Sequence, residues 1–408
     1  MFSIAQRMCA ITVLLLLLLG CASQVFTQQA AESNAARKNR AAAPQIIPFE
    51  LYLNSLIFVR ARVNDSAPMW FLLDTASTFS FLDTAKAESL GIKSEGQETI
   101  TGGGGGAIGI SFGKGATLEV SGVKLAHETF ALTLWKKGYD RNVVGMIGAP
   151  FFKQFVVEID YQARQLIVHE PRSYRYAGKG AILPLEFSDE IPAVEVGLSI
   201  GARPPLTAKL DVDTGAGQTL ILNPAFVAAN NLLGSTEGIP KTEGGSLAGK
   251  VTYYTRRAKT VRLGRFALEN IPANLSSPGG LKIRDGVDGV IGNWLLSRFK
   301  VILDFPRSRM ILEPSELFSV SPDYEMTGLR AVAEGKQFKI AQVFNGSPAD
   351  EAGLKAGDAI IAFDGHPAAQ MTITQLRQMF KQDGGKHSLL IERAATKLPI
   401  TLQMRLIQ

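Results

Sequence analysis

The segment Trp70–Asp83, WFLLDTASTFSFLD, places an aspartate and a threonine among apolar residues. A carboxylate buried without a partner costs several kcal/mol of folding free energy, or it becomes protonated. Asp74 therefore needs a partner elsewhere in the fold. A second segment, Asp211–Ile221, DVDTGAGQTLI, carries the same Asp-Thr pair after apolar residues and is the first place to look for that partner.

The likeness between these two segments continues along the chain. Three further blocks match in the same order, namely Thr84–Leu90 with Pro224–Leu233, Leu118–Phe130 with Val261–Ala273, and Gly145–Tyr161 with Gly289–Phe305. In the last pair, most apolar positions are in register at an offset of 144 residues. Four matched blocks indicate an internal repeat, with one copy in residues 45–180 (lobe 1) and the other in residues 181–315 (lobe 2).

Each copy is rich in short alternating strands separated by Gly and Pro turns and has only a token helix. This pattern predicts a mainly β fold with two barrel-like lobes. Equivalent residues of two pseudo-symmetric copies meet at the axis that relates them. We therefore expect Asp74 and Asp213 to lie together and to share one proton, because two carboxylates about 3 Å apart cannot both ionise.

The motifs resemble those of a bacterial retropepsin-like aspartyl protease with two fused lobes. They are Asp213-Thr214-Gly215-Ala216 with Val290-Ile291-Gly292, and Asp74-Thr75-Ala76-Ser77 with Met146-Ile147-Gly148. The resemblance implies a pepsin/retropepsin-like acid protease fold in which Asp74 and Asp213 are catalytic. It also implies that Thr75 and Thr214 interlock the two Asp loops, with Ala76 and Gly215 supporting the dyad. An aspartic endopeptidase of this kind hydrolyses polypeptides with an activated water and needs no cofactor or metal.

The departure from the family pattern is Ala76, where the family has glycine. A positive φ at this turn would strain an alanine, whereas a negative φ would cost little. Two alternatives to catalysis stay open: the two aspartates are turn residues that bind backbone amides, or they form a decayed dyad on an intact fold. In the second case the protein is a catalytically inactive peptide-binding or scaffolding protein.

The glycine run Thr101–Gly113, TGGGGGAIGISFG, lies between the first Asp loop and the next pair of strands. The family resemblance implies a flap hairpin here that covers the substrate. The alternative is a surface loop. A phosphate-binding loop is excluded, because no Gly-Lys-Ser/Thr follows the glycines. In lobe 2 the segment Glu243–Lys250 occupies the equivalent place.

The character of the chain changes after Pro314. Ser347 followed by Pro348 predicts a helix start, and Thr372 with Gln375 forms a capping-box signature before a second helix. With the strand and Asp-Gly turn between them, residues 324–406 resemble a circularly permuted bacterial PDZ domain (α+β). The resemblance implies a loop for peptide carboxylates at Met326, Thr327, Gly328 and Leu329, beside which a C-terminal peptide adds as a strand. The alternative is a simple turn.

The N-terminus carries a targeting signal. Ala10–Leu19 is an apolar run too short for a permanent membrane span. Leu18-Leu19-Gly20-Cys21 resembles the lipobox of bacterial lipoproteins. This implies a signal peptide at 1–20, lipidation of Cys21, a flexible tether at 21–44, and a location in the cell envelope, anchored to a membrane and facing the periplasm. Plain cleavage near Ala22, giving a secreted or soluble periplasmic protein, is the alternative.

Composition excludes several other functions. The net charge of +6 over 408 residues is the balance of 43 basic and 37 acidic residues, and the basic residues are spread along the chain, which argues against nucleic-acid binding. Of the two cysteines, Cys9 lies inside the signal, so the mature chain has no disulfide. No metal-ligand spacing occurs at His127, His169, His366 and His387. The sequence therefore predicts a membrane-tethered aspartic endopeptidase whose PDZ domain docks peptide.

Overall fold

The computed structural model describes most of the chain after residue 42. The described residues are 43–52, 55–103, 105–135, 139, 141–201, 203–234, 241–246, 249–319, 327–335, 337–343, 346–380 and 385–405. The predicted signal, the tether up to residue 42, Cys21 and Met326 lie outside them. Among the described residues, no helix is long and apolar enough to cross a membrane.

The described residues of lobe 1 form ten strands and two short helices. The strands are β1 (Gln45–Tyr52), β2 (Leu56–Val63), β3 (Met69–Leu73), β4 (Ser80–Asp83), β5 (Ser94–Thr101), β6 (Ala107–Val120), β7 (Val123–Thr133), β8 (Val143–Ile147), β9 (Val156–Asp160) and β10 (Gln165–His169). The helices are α1 (Thr84–Ser89) and α2 (Ala149–Gln154). Along β2 the alternate residues Ile57, Val59, Ala61 and Val63 are buried in the main core, and Phe58 on the opposite face is buried in a second apolar cluster.

Lobe 2 repeats this order with small additions. Its strands are β11 (Ala181–Pro184), β12 (Glu186–Ser188), β13 (Ile191–Ile200), β14 (Leu206–Asp213), β15 (Leu220–Leu222), β16 (Lys241–Ser246), β17 (Gly249–Leu263), β18 (Phe266–Ser276), β19 (Gly289–Gly292), β20 (Phe299–Asp304) and β21 (Arg309–Pro314). Its helices are α3 (Pro224–Ala229) and α4 (Asn293–Leu296), and a 3₁₀ turn follows at Phe305–Arg307. The architecture is therefore the mainly β, two-lobed arrangement that the repeat predicts.

The repeat is visible in the strand pairing around each Asp loop. β3, which leads into Asp74, pairs in parallel with β8, and β14, which ends at Asp213, pairs in parallel with β19. In both lobes the strand after the loop, β4 or β15, pairs antiparallel with the same partner. Each Asp loop is thus held from below by a strand that carries the apolar-apolar-Gly motif.

The two lobes share one sheet. β9 of lobe 1 pairs antiparallel with β20 of lobe 2, with Ile159 opposite Val301 and Val157 opposite Leu303. The neighbouring order is β11-β21-β20-β9-β10-β1. Backbone hydrogen bonds therefore fix the lobes relative to each other, and the sequence boundary at residue 180 does not coincide with a gap in the structure.

The C-terminal domain, residues 327–405, has its own sheet and core. Its strands are β22 (Leu329–Glu334), β23 (Gln337–Val343), β24 (Ala359–Phe363), β25 (His366–Pro367), β26 (Lys386–Arg393) and β27 (Thr396–Gln403), and its helices are α5 (Pro348–Glu351) and α6 (Ile373–Met379). Ser347 caps α5, and the capping box of Thr372 and Gln375 is complete at the start of α6. Both helix starts predicted from the sequence are confirmed.

Tyr52, at the end of β1, connects this domain with lobe 1. Its side chain packs against the core of the C-terminal domain and also against an apolar cluster of lobe 1. In lobe 1 its ring lies 5.8 Å from that of Phe58 and 5.3 Å from that of Tyr139. One aromatic residue therefore contacts both parts of the molecule.

Candidate active site

The two Asp loops are locked together by their threonines. The Thr75 hydroxyl donates to the carbonyl of Val212 (2.6 Å) and accepts from the Thr214 amide (3.0 Å). In the mirror arrangement, the Thr214 hydroxyl donates to the carbonyl of Leu73 (3.0 Å) and accepts from the Thr75 amide (3.1 Å). Both threonines are fully buried. The structure therefore contains the reciprocal interlock that the family resemblance implies.

This interlock brings Asp74 and Asp213 to the same point. The Ala76 amide donates to Asp74 Oδ1 (3.0 Å), and the Gly215 amide donates to Asp213 Oδ1 (2.7 Å). A Cβ on Gly215 would lie only 2.3 Å from Asp74 Oδ2. Gly215 therefore lies against both carboxylates: its N–H binds Asp213, and Asp74 occupies the space that a Cβ would take. Both aspartates are half-buried.

Ala76 is accommodated without backbone strain. It is not among the described non-glycine residues with a positive φ. Gly215, its counterpart, has no positive φ either, so its importance lies in the close approach of Asp74 rather than in its backbone angles. The alanine therefore leaves the Asp loop of lobe 1 in the same interlocked conformation as that of lobe 2.

The apolar-apolar-Gly motifs support the loops at close range. The Asp74 amide donates to the carbonyl of Ile147 (3.0 Å). A Cβ on Gly148 would lie 2.2 Å from the carbonyl oxygen of Phe79, and one on Gly292 would lie 2.4 Å from that of Gln218. Only glycine permits this contact, which explains why both copies end the motif with this residue.

An aromatic, apolar surface lies beside Asp74. The half-buried members of this surface, which we call the lobe 1 aromatic face, are Tyr52, Leu56, Trp70, Phe79, Ile100, Ile108, Phe112, Trp135 and Tyr139. Burial raises the pKa of Tyr139, and the charges of Asp74 and Tyr52 raise it further. The Tyr139 hydroxyl is buried and finds no hydrogen-bond partner among the described residues. Lobe 1 therefore offers an apolar wall next to one carboxylate.

The corresponding part of lobe 2 is smaller and charged. Its apolar cluster comprises Ile221, Val251, Tyr253, Leu281 and Val290, with Ala216 and Ile283 packed against it. Next to it, Arg284 Nη2 lies 2.6 Å from Oδ1 of Asp211, which is only 4% exposed. Burial raises the pKa of Asp211, and Arg284 opposes that shift. Asp211 therefore anchors a buried ion pair on the strand that carries Asp213.

Two buried polar residues near the dyad were not identified from the sequence. The Tyr161 hydroxyl donates to Oδ1 of Asn293 (2.6 Å), and the Asn293 side-chain amide donates to the carbonyl of Thr214. Both positions differ between the two copies of the repeat: Ala149 matches Asn293, and Phe305 matches Tyr161. A comparison of the two copies shows both differences, which could have identified Tyr161 and Asn293 as candidate functional residues.

The glycine run forms the tip of a hairpin that reaches lobe 2. β5 and β6 pair up to Thr101 opposite Ala107, and Gly105 adopts a positive φ in the turn. The amide of Lys282 donates to the carbonyl of Gly103 (3.1 Å). The tip of this hairpin, which we call the flap, therefore contacts the Leu281–Lys282 segment of lobe 2.

Of the predicted carboxylate loop, Thr327, Gly328 and Leu329 are described and lie at the start of β22, whereas Met326 lies outside the described residues. Gly328 has a positive φ, and its carbonyl accepts from the Ser347 hydroxyl (3.2 Å). Thr327 is buried, its hydroxyl accepts from the Leu329 amide (3.3 Å), and its carbonyl accepts from the amide of Ala349. Helix α6 faces β22, where a guanidinium nitrogen of Arg377 donates to the carbonyl of Ala331 (3.3 Å).

Comparisons with known proteins agree with this two-part organisation. Residues 59–151 match the family model described as Aspartyl protease, and residues 339–393 match the one described as PDZ domain. The crystal structure of aspartic proteinase from Irpex lacteus aligns over 68% of this chain and 99% of that chain, with 15% identity and a TM-score of 0.47. No curated protein sequence matches. Residues 59–151 are therefore similar to aspartyl protease domains, and residues 339–393 are similar to PDZ domains.

Proposed function

We propose that this protein is an aspartic endopeptidase with Asp74 and Asp213 as its catalytic dyad. The observation that carries the proposal is the double Thr75–Thr214 interlock, which presses both carboxylates against Gly215. A pair of turn aspartates would need no such connection between the lobes. The absence of a positive φ at Ala76 removes the main physical objection to an active dyad.

The reaction follows from one shared proton. The ionised carboxylate takes a proton from a water held between the two aspartates, and the water oxygen attacks the scissile carbonyl carbon. The protonated carboxyl gives its proton to the carbonyl oxygen, so a neutral tetrahedral diol forms without a covalent enzyme intermediate. On collapse, one proton moves to the departing amine. Neither a metal nor a cofactor is needed for these steps.

The cleft surroundings favour polypeptides with apolar side chains. The lobe 1 aromatic face can bury an aromatic or aliphatic residue next to Asp74, where roughly 25 cal/mol is gained per Å² of apolar area removed from water. The flap closes over an extended chain and excludes bulk water from the reaction. Opening must break the contact between Gly103 and Lys282.

The PDZ domain supplies a second peptide site in this proposal. A C-terminal peptide adds as a strand beside β22, with its carboxylate at the loop of Met326, Thr327, Gly328 and Leu329. The positive φ of Gly328 and the buried contacts of Thr327 support such a preformed loop. Docking there would hold a polypeptide substrate close to the cleft.

Membrane tethering completes the proposal. Lipidation of Cys21 would anchor the protein to a bacterial membrane with the catalytic lobes in the periplasm, at the end of the tether 21–44. Substitution of Cys21 by serine is expected to move the protein from the membrane fraction to the soluble fraction and to abolish labelling by a fatty acid. A soluble wild-type protein without label would favour the secreted alternative.

Catalysis is tested by Asp74→Asn and Asp213→Asn in a casein or peptide-library assay between pH 3 and pH 7. Each variant should lose activity to background while keeping the wild-type thermal unfolding midpoint within a few degrees. Asp65→Asn, an exposed turn aspartate, is the matched control. Cleavage that survives either dyad substitution contradicts the assignment. Peptide binding without cleavage by the wild type supports the inactive binding protein instead.

Peptide docking is tested by calorimetry with C-terminal peptides and the full chain. A peptide with a free carboxylate should bind, and the same peptide with an amidated C-terminus should bind at least about tenfold more weakly, since the charged hydrogen bonds at the loop are lost. Equal affinities, or no binding across a peptide library, would show that the loop is a simple turn.

A further inference from the structure

The internal repeat is broken at two buried positions, and the two breaks contact each other. At the offset of 144 residues, Ala149 becomes Asn293 and Tyr161 becomes Phe305. Asn293 is fully buried and Tyr161 is 5% exposed. A new polar pair in a core is costly unless it is hydrogen-bonded. Here each polar residue supplies the partner of the other across the lobe boundary, at 2.6 Å.

The contacts continue from this pair to the dyad. The Asn293 side-chain N–H donates to the carbonyl of Thr214. That carbonyl belongs to the same peptide group as the N–H of Gly215, which donates to Asp213 Oδ1 at 2.7 Å. The Tyr161 hydroxyl, the Asn293 amide and this peptide group thus form one chain of hydrogen bonds, each donated in the direction of Asp213. We call this chain the relay. It begins in lobe 1 and ends on the carboxylate of lobe 2.

Aligned hydrogen bonds polarise one another. A peptide group whose oxygen already accepts a strong hydrogen bond is a better N–H donor, and a better donor stabilises the charged form of the carboxylate it contacts. Burial raises the pKa of the Tyr161 phenol, so its hydroxyl remains a donor over the whole working range. The relay therefore favours negative charge on Asp213.

Asp74 has no equivalent of the relay. The matching positions are Ala149 and Phe305, neither of which carries a side-chain hydrogen-bond donor. The Ala76 amide reaches Asp74 Oδ1 at 3.0 Å, against 2.7 Å for the Gly215 amide on Asp213. The Thr interlock is otherwise reciprocal. The relay therefore makes the hydrogen bonding behind Asp213 different from that behind Asp74.

Two cations lie on the lobe 1 side: the guanidinium groups of Arg60 and Arg141 stack on Trp70, and Arg141 also stacks on Phe58 and is ion-paired with Glu50. On the Asp213 side, the Arg284 cation is bound to the carboxylate of Asp211. On the Asp74 side, the buried phenol of Tyr139 lies close enough to interact electrostatically with the carboxylate. An ionised Asp74 would lie next to the apolar lobe 1 aromatic face, where a negative charge is poorly solvated.

We propose that the relay decides which aspartate holds the shared proton: Asp213 is the ionised member and Asp74 the protonated one. Asp213 then takes the proton from the attacking water, and Asp74 gives its proton to the substrate carbonyl. Tyr161 and Asn293 touch neither substrate nor water and act as positioning residues. This inference rests on the proposed dyad, but the location of the proton can be measured without any turnover.

The test uses Tyr161→Phe, which removes one hydroxyl and restores the residue found at the matching position of lobe 2. In the active protein, loss of the relay destabilises the singly ionised dyad. The acidic limb of kcat/KM should therefore move about half a pH unit upward, a loss of about threefold on the steep part of the limb. Tyr176→Phe, which removes a hydroxyl bound to Glu313, is the matched control and should leave the limb in place.

Carbon-13 NMR titration of the aspartate carboxyls separates the proton's location from activity. In the Asp74→Asn background, Tyr161→Phe should raise the titration midpoint of Asp213; in the Asp213→Asn background, it should leave that of Asp74 unchanged. Equal shifts in both backgrounds, or none in either, would overturn the relay. The predicted shifts in a protein without peptidase activity would uphold the relay and reject the proposed function. If Tyr161→Phe does not fold, Asn293→Leu replaces it in the same series.

Discussion

Lobes 1 and 2 hold their Asp loops with the same hydrogen bonds but surround them with different chemistry. Position 72 is a leucine within the apolar cluster of lobe 1, whereas its counterpart, Asp211, forms a buried ion pair with Arg284. Likewise Glu128 in β7 matches Ile271 in β18, and the residue before each, His127 or Asn270, has a positive φ. The backbone of the duplicated unit is therefore strictly kept, while the side chains behind it differ.

The difference teaches which parts of the duplication are fixed by geometry. Residues at the axis, Thr75 with Thr214 and Gly148 with Gly292, are identical because each contacts the other copy or a carbonyl at close range. Next to the Asp loops, lobe 1 has the apolar aromatic face, whereas lobe 2 has the buried ion pair of Asp211 and Arg284. In the proposed function, an extended substrate between the two lobes would meet two unlike walls.

The largest effect is expected from the buried ion pair of lobe 2. Arg284→Ala leaves Asp211 charged and unpaired in a site that is 4% exposed, which should lower the free energy of unfolding by about 3–5 kcal/mol. Denaturant unfolding measures it. The double variant Asp211→Leu with Arg284→Met imitates the leucine of lobe 1 and should regain most of the loss. A single variant as stable as the wild type would show that the pair contributes nothing.

The second effect concerns the two turn residues of the dyad. Gly215→Ala places a methyl group 2.3 Å from Asp74 Oδ2, so the carboxylate must move, and kcat/KM should fall by about a hundredfold. Ala76→Gly should change kcat/KM by less than about threefold, because the alanine has no positive φ to relieve. Steady-state kinetics measures both. Similar losses of kcat/KM in both variants would contradict the conclusion that only Gly215 requires the absence of a side chain.

The third effect tests the two walls of the cleft. Tyr139→Ala removes a large ring of the lobe 1 aromatic face and should lower kcat/KM about tenfold for peptides with a large apolar residue at the cleavage site. Ile283→Ala, in the smaller cluster of lobe 2, is the matched control and should have a smaller effect. A larger loss with Ile283→Ala would reverse the assignment of the apolar wall.

The smallest effect comes from Glu128, a carboxyl that is 7% exposed. Burial raises its pKa, and a hydrogen bond with Ser80 partly offsets the shift. Between the ordinary pKa of 4.5 and the higher pKa of the folded state, the folded protein binds more protons than the unfolded chain. The free energy of unfolding therefore falls as pH rises across this range.

Glu128→Gln removes that titration. The variant should be more stable than the wild type at pH 7, by on the order of 1 kcal/mol, and the difference should vanish below about pH 4. Thermal unfolding at several pH values measures this, with Glu98→Gln, an exposed residue of β5, as the control. A constant difference at all pH values would exclude Glu128 as its source.

Much of this architecture could be predicted because both copies of the internal repeat carry the same motifs. The matched Asp-Thr pairs and the apolar-apolar-Gly motifs predict the two lobes and bring Asp74 and Asp213 to one axis. The helix starts at Ser347 and Thr372 follow from local capping chemistry and are confirmed. The catalytic roles, the domain boundaries and the lipid anchor at Cys21 stay predictions.

The remainder depends on contacts between residues far apart in the chain. Arg284 lies 73 residues from Asp211, and Asn293 lies 132 residues from Tyr161, so no local pattern pairs them. The sheet shared by the two lobes could not be predicted either, because nothing in the sequences of β9 and β20 indicates that these two strands pair. For Tyr161 and Asn293, however, the mismatches between the two copies would have marked the positions.

Tyr52 makes the C-terminal domain and lobe 1 parts of one thermodynamic system. Its ring contacts the core of one and the aromatic face of the other. Linkage is reciprocal: if a peptide on the PDZ domain changes the energy of this contact, it changes the affinity of the cleft for substrate, and substrate changes the affinity for that peptide by the same factor. A protease half produced without its C-terminal domain would expose this ring to water and lose that coupling.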